Sequence, residues 1–303
     1  MLLRASLLAS VSVLAFGNTV LEGPEGGTVV SGAAVIATPT PSHLQVNQAS
    51  QNAIIDWRSF SIGSGEAASF AVPTGGSTLN RVTGADPSAI YGTLTSNGRL
   101  FLVNPNGIVV GPTGVIDTAG LVLSTHSVKD AEFLAGGSMT FSGASNASVV
   151  NNGTIRSTGG GDVFLIARHV QNAGSISAPG GTVGLAGGME ILINASDSGD
   201  GRVAVRAGPG KVVNSGTIAA TQAELRAAGG NHYALAVNNT GVVRATGVAT
   251  RDGRVFLTAG SGAVRSSGKI SARNANGSGG QVRVATAPRP AATATKRPAA
   301  QQN

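Results

Sequence analysis

The chain has 303 residues, with 45 Gly, no Cys, 12% charged and 4% aromatic residues, and a formal net charge of +7. The missing thiols exclude disulfides, thiolate metal sites and a Cys nucleophile. So few aromatics exclude a large core built on Phe and Trp, and they leave single-stranded nucleic acid without stacking platforms, so no nucleic-acid partner is expected.

The N-terminus reads as an export signal. Met1-Leu2-Leu3-Arg4 is a minimal basic end, and Ala5 to Phe16 is apolar but too short to span a bilayer. Ala15 and Gly17 place small residues before a cleavage after Gly17. Residues 1–17 are therefore expected to be a signal peptide handled by the general secretory translocon.

Residues 18–125 are dense in short strand-like phrases, with Gly26 to Val35 reading as a first strand pair. Asn47 to Asn52 leads into Ile54-Ile55-Asp56-Trp57, and Phe60-Ser61-Ile62-Gly63 and Leu79-Asn80-Arg81-Val82 follow. Trp57, between Asp56 and Arg58, reads as a packed aromatic, and Tyr91 and Phe101 as core or turn packing. Asn104-Pro105-Asn106-Gly107-Ile108 reads as a tight turn. Pro105 fixes φ at the first corner, Asn106-Gly107 supplies left-handed geometry at the second, and Val103 and Ile108 face the core.

From residue 126 to 287 one phrase keeps returning. It reads Val150-Asn151-Asn152-Gly153-Thr154-Ile155, Val170-Gln171-Asn172-Ala173-Gly174-Ser175-Ile176 and Val213-Asn214-Ser215-Gly216-Thr217-Ile218, with looser copies ending at Val243 and Ile270. Gly153, Gly174 and Gly216 are 21 and 42 residues apart, a period of one unit and then two. Such a period marks a solenoid, because one short unit cannot bury its apolar side without stacked neighbours. Between the phrases lie runs of three to six residues, such as Asp162 to Ala167, Gly181 to Ala186 and Gly201 to Arg206. Each is bounded by Gly, Asn or Ser, residues that take positive φ or close turns. Stacked in register they make a parallel β-helix, whose hand and number of sides the spacing leaves open. Residues 288–303, with Pro288, Pro290 and Pro298 among Ala, Thr and basic residues, read as a disordered tail.

Chemistry-bearing patterns are sparse. His43, His126, His169 and His232 lack ligand spacing, so no metal site is expected. Asp197 and Asp200 share a loop with a faint calcium-like pattern, but the bidentate Glu is missing. The other acids are isolated, and Gly159-Gly160-Gly161 and Gly229-Gly230 lack a phosphate-loop context. No catalytic residue, cofactor or enzymatic activity is expected. Arg202, Arg206, Lys211, Arg226, Arg244, Arg251, Arg254 and Lys269 are spread along the coils. They read either as solubilising charge or as a face for an acidic polysaccharide.

Taken in order, the phrases between about Gly26 and Thr125 resemble the secretion domain of two-partner secretion exoproteins, the filamentous haemagglutinin family. The resemblance implies an all-β, single-stranded right-handed parallel β-helix with an N-terminal cap and short extra-helical hairpins. It also implies export through an outer-membrane two-partner pore whose periplasmic domains recognise the N-terminal region. By the same resemblance the secretion motif comprises Asn47, Trp57, Asn80, Arg81, Asn104, Pro105, Asn106, Gly107 and Ile108. A second Asn-Pro-Asn-Leu phrase found in many members is missing at Val72 to Gly76, and no cysteine pair follows Ile108. The expected protein is secreted or surface-exposed and adhesin-like, with a host-surface glycan as a further partner. The rival readings are a small polyanion-binding β-helix and a β-helical carbohydrate-active enzyme.

Overall fold

The computed structural model describes residues 23–196, 201–229 and 235–286. The expected signal peptide, the tail at 288–303, Asp197, Asp200, Gly230 and His232 lie outside the described residues.

The repeated phrases build a β-helix with three faces. The first face is a seven-stranded parallel sheet running from Ser88–Ile90 and Ile108–Val110 through Ser148–Asn151, His169–Asn172 and Lys211–Asn214 to Leu235–Asn239 and Ala263–Ser266. The second and third faces form one larger sheet, because four strands run round the corner between them. These are Thr93–Val103, Val115–Ser124, Ser175–Gly187 and Thr217–Ala227, of 11, 10, 13 and 11 residues. The expected run length of three to six residues therefore fails for them. Each bends at a corner such as Asn97-Gly98 or Ala119-Gly120, and in Ser175–Gly187 the corner takes Gly180 into the left-handed region, at φ 81°.

Inward-pointing aliphatic residues stack from rung to rung. Leu94, Ile116, Ile155, Ile176, Ile218 and Val243 form one registered column, each with 0% exposure. Full burial of each is worth roughly 1.5–3 kcal/mol, and a stack of them replaces the aromatic core the composition lacks.

The phrase itself has a physical cause that differs from turn chemistry. Its asparagines form a buried ladder. Asn151 Nδ2 donates to Asn172 Oδ1, Asn172 to Asn214 and Asn214 to Asn239, each at 2.7 Å, and Asn239 donates to Ser266 Oγ at 3.0 Å. All four asparagines have 0% exposure. Gly153, Gly174, Gly216, Gly241 and Gly268 form a second column, and none has positive φ. They are glycine because the rungs approach closely: a Cβ on Gly216 would lie 2.0 Å from the Gly174 carbonyl oxygen.

The ladder also corrects the period. Asn172 and Asn214 are partners on adjacent rungs, so the 42-residue step is one coil carrying an excursion, not two coils. We expect Asn172→Ala to cost about 3 kcal/mol in denaturant titration, since it removes two bonds and strands buried amide groups on Asn151 and Asn214. A cost under 1 kcal/mol would mean the ladder is incidental.

The excursion, Met189 to Ala207, leaves the coil to join another. Glu190–Ile193 pairs antiparallel with Met139–Ser142 on one side and Val203–Ala207 on the other. A helix, Asp130–Ala135, precedes this three-stranded sheet. The run from Gly201 to Arg206 thus lies outside the solenoid, against expectation. Together these pieces cover the outer side of the third face around Phe101, Val103, Val122, Phe133, Phe141 and Phe164, a second apolar cluster. Val103 belongs to this outer cluster rather than to the solenoid core.

The N-terminal end is closed by antiparallel strands. Thr28–Ser31 pairs with Asn52–Trp57, and Ala34–Thr40 pairs with His43–Gln48. Gly26 to Val35 is therefore no strand pair: its two strands each lie on the first coil instead of on one another. Among the described residues no helix is long and apolar enough to cross a membrane.

Candidate functional site

The expected motif residues converge on the first coils, where cap, coil and extra-helical helix meet. Asn104 is the most constrained. It has 0% exposure, and its Nδ2 donates to the Asp86 carbonyl at 2.9 Å and to Ser88 Oγ at 3.0 Å. Its Oδ1 accepts from the Asn106 backbone N–H at 2.9 Å and from Asn106 Nδ2 at 3.2 Å. Gly107 N–H closes the turn on the Asn104 carbonyl at 3.1 Å, and Asn106 Nδ2 also reaches the Gly84 carbonyl at 2.8 Å. The turn is thereby tied to the corner of the preceding coil.

Only Gly107 carries positive φ, at 116°. Asn106 does not share the left-handed geometry expected of it, so the turn has Pro at its second position and Gly at its fourth, the type I pattern. Pro105 and Asn106 are exposed while Ile108 is buried in the solenoid core.

Trp57 and Asn80 form one unit. The Trp57 indole N–H donates to Asn80 Oδ1 at 2.9 Å, and Asn80 Nδ2 donates to the Phe101 carbonyl at 3.2 Å. Trp57 is buried, with Phe60 edge-on at 5.4 Å, and the cap passes over it at Gly27, where a Cβ would sit 2.6 Å from the indole ring. The aromatic is packing, not a binding surface. Arg81 bridges two elements: Nε pairs with Asp56 at 2.8 Å and Nη1 with Asp130 of the helix at 2.6 Å. Asn47 stands apart, exposed on a strand next to the cap. Phe101 is buried but faces the outer cluster, and Tyr91 is 36% exposed, its ring shielding Gly111.

Sequence reasoning missed the helix and the extent of the extra-helical cover. Asp130 and Glu132 in a first turn and a left-handed Gly136 after Ala135 were the helix signals. The cover was signalled by Leu100-Phe101-Leu102-Val103 and Val163 to Ala167, continuous apolar runs that only a strand buried on both faces needs.

His126 lies where both excursions leave the solenoid. Its ring is buried, Nε2 donates to the Gly188 carbonyl at 2.7 Å, and Nδ1 has no hydrogen-bond partner. Burial holds its pKa below the usual value, against the opposing pull of bonds to Gly188 and Thr125. The unfolded chain therefore takes up a proton first as pH falls through about 6.5. Its contribution to stability is full above that pH and declines below it. We expect His126→Gln to flatten the fall of unfolding free energy between pH 7 and 5; an unchanged slope would remove His126 from the acid response.

No group of three or more His, Cys, Asp or Glu able to hold a metal occurs among the described residues. The arginines expected to make a basic face are partly committed. Arg202 pairs with Asp162 at 2.7 Å, and Arg206 lies 3.8 Å from Glu190.

The family model of the TPS (two-partner secretion) secretion domain matches residues 23–272. The chain belongs to this family. A TPS secretion domain is the leading module of secreted exoproteins, which cross the outer membrane to the cell surface or the medium. The solved HMW1 secretion domain of Haemophilus influenzae superposes with a TM-score of 0.78 at 30% identity, covering 87% of this chain and 70% of that one. The filamentous hemagglutinin secretion domain aligns with a TM-score of 0.51 at 16% identity, over 87% of this chain and 100% of that one, a likeness of fold. A heme/hemopexin-binding protein of Haemophilus influenzae is 33% identical over 250 residues, covering 78% of this chain and 27% of that protein. The TPS chain thus spans about a quarter of that relative's length.

Proposed function

We propose that the first coils of this TPS domain are the part read by an outer-membrane two-partner transporter, and that the stacked coils then drive export. The observation that carries this reading is the join at Asn104, Trp57-Asn80 and Arg81, which locks cap, coils and helix through buried or paired polar groups.

The mechanism is physical. Strand pairing in a solenoid is non-local, which slows folding and keeps the exported chain extended in the periplasm. An extended amphipathic strand suits capture by the transporter's periplasmic domains through β-augmentation. Outside the cell the Asn104 turn ties its coil to the one before it, and each further coil buries aliphatic residues that resist return through the pore. The general secretory translocon, reading residues 1–17, precedes these steps. No catalytic role is assigned, and the exoprotein acts by adhesion or binding.

The test is co-expression with and without the cognate two-partner pore, following the protein in the medium. Export only with the pore is expected; equal amounts in the medium without it would overturn the reading.

A further inference from the structure

Beyond the extra-helical cover, the outer side of the third face changes character. The registered column of Phe101, Val122 and Phe164 runs through Gly184 to Glu224, whose carboxylate still accepts hydrogen bonds from the backbone N–H groups of Arg202 and Val203 at the edge of the cover, and then to Phe256 and Arg283. At its corner with the second face lies an open cleft of about 810 Å³. Arg251, Arg254, Gln222 and Gln281 line it, with Asp252 the only carboxylate among its lining residues.

Arg251 is held in place by oxygens that carry no charge. Its guanidinium donates to the Gly180 carbonyl at 3.1 Å, Thr182 Oγ1 at 2.8 Å and Gln222 Oε1 at 2.9 Å. Three of its five N–H groups are thus used, and none on a carboxylate. The cation is oriented without being neutralised, an arrangement suited to receiving an external anion. Gln222, Arg254 and Gln281 stand on three successive rungs in register. Rung spacing makes that roughly 10 Å of polar wall.

We propose that this cleft binds an acidic oligosaccharide, with a carboxylate of the sugar on Arg251 and hydroxyls on the side-chain amides and Asp252. Amides and a single carboxylate match a polyhydroxylated chain carrying spaced charges, whereas the dense charge of a polyphosphate would be repelled by Asp252. Nucleic acid lacks a stacking platform here, because the guanidiniums of Arg226 and Arg254 lie over Phe256 at 5.4 and 5.2 Å from the ring centroid. The site lies far along the chain from the Asn104 cluster and does not depend on the secretion reading.

The experiment is calorimetric titration of the full secreted chain with an oligogalacturonate, its methyl ester and a single-stranded DNA of equal charge. The free acid is expected to bind, with the ester and the DNA at least tenfold weaker. Arg251→Gln should weaken binding of the acid by about tenfold to a hundredfold. Gln281→Glu, an exposed change that spares the fold, should weaken it by about tenfold, and Lys269→Gln outside the cleft should leave it unchanged. Equal binding of acid and ester, preference for the DNA, no binding of the acid, or indifference to Gln281→Glu would each overturn the proposal.

Discussion

Asn104→Ala is expected to destabilise the TPS fold by about 3 kcal/mol and to lower the exported yield in parallel. The substitution deletes four hydrogen bonds from a side chain with 0% exposure. Each is worth about 1 kcal/mol net, and the Asp86 carbonyl loses the partner that satisfied it. Asn104→Asp should be no better, because it turns a donor to that carbonyl into an acceptor facing it. Asn106→Ala should cost about 1 kcal/mol, since Asn106 is exposed and gives up chiefly its bond to the Gly84 carbonyl. Urea titration of the purified variants gives the stabilities, and immunoblotting of medium against periplasm gives the export. Equal effects at both positions would mean that the phrase matters for its surface and not for the join it makes.

The second large effect is expected at Gly216. A Cβ there would stand 2.0 Å from the Gly174 carbonyl oxygen and 2.7 Å from the Ala173 carbonyl carbon. Neither atom is the free end of a side chain, so two rungs must part or the ladder at Asn214 must shift. Overpacking of this kind costs 1–3 kcal/mol where side chains can give way, and backbone cannot, so Gly216→Ala is expected to cost about 3 kcal/mol or more. Gly137→Ala is the control. A Cβ at Gly137 would meet nothing within 4 Å and its φ is not positive, so the change should alter stability by less than about 0.5 kcal/mol. Similar losses at both glycines, read from the same denaturation curves, would contradict the close-approach account.

These two residues show how far the sequence could be read. The recurring Asn and Gly marked the rungs correctly, because both residue types are forced by contacts with the rung below. The reason for them was hidden: an Asn-Gly phrase looks like a turn in one dimension, while the ladder and the close approach exist only between coils. The step from Gly174 to Gly216 misled for the same cause. Nothing local distinguishes a second coil from an excursion, and Val203 to Arg206 alternates as a coil strand would. What separates them is the partner, Glu190–Ile193 running antiparallel.

At the N-terminal cluster, Asn104, Trp57, Asn80 and Arg81 were legible as a set through family likeness, while their linkage was not. The bond from Trp57 to Asn80 crosses one rung, and the pair from Arg81 to Asp130 spans the solenoid and its cover. Asn47 remains outside this cluster. Outside the solenoid, Arg202 looked like one of many dispersed cations, yet it is matched to Asp162. Arg251 looked no different, and only the three neutral oxygens around it set it apart.

The central claim is that the first coils direct export, and deletion of residues 26–125 tests it most directly. The shortened chain, with residues 1–25 kept, is expressed beside the two-partner pore and followed in periplasm and medium. Retention in the periplasm, with the intact chain reaching the medium through the same pore, is the expected result. Arrival of the shortened chain in the medium at the level of the intact one would contradict it.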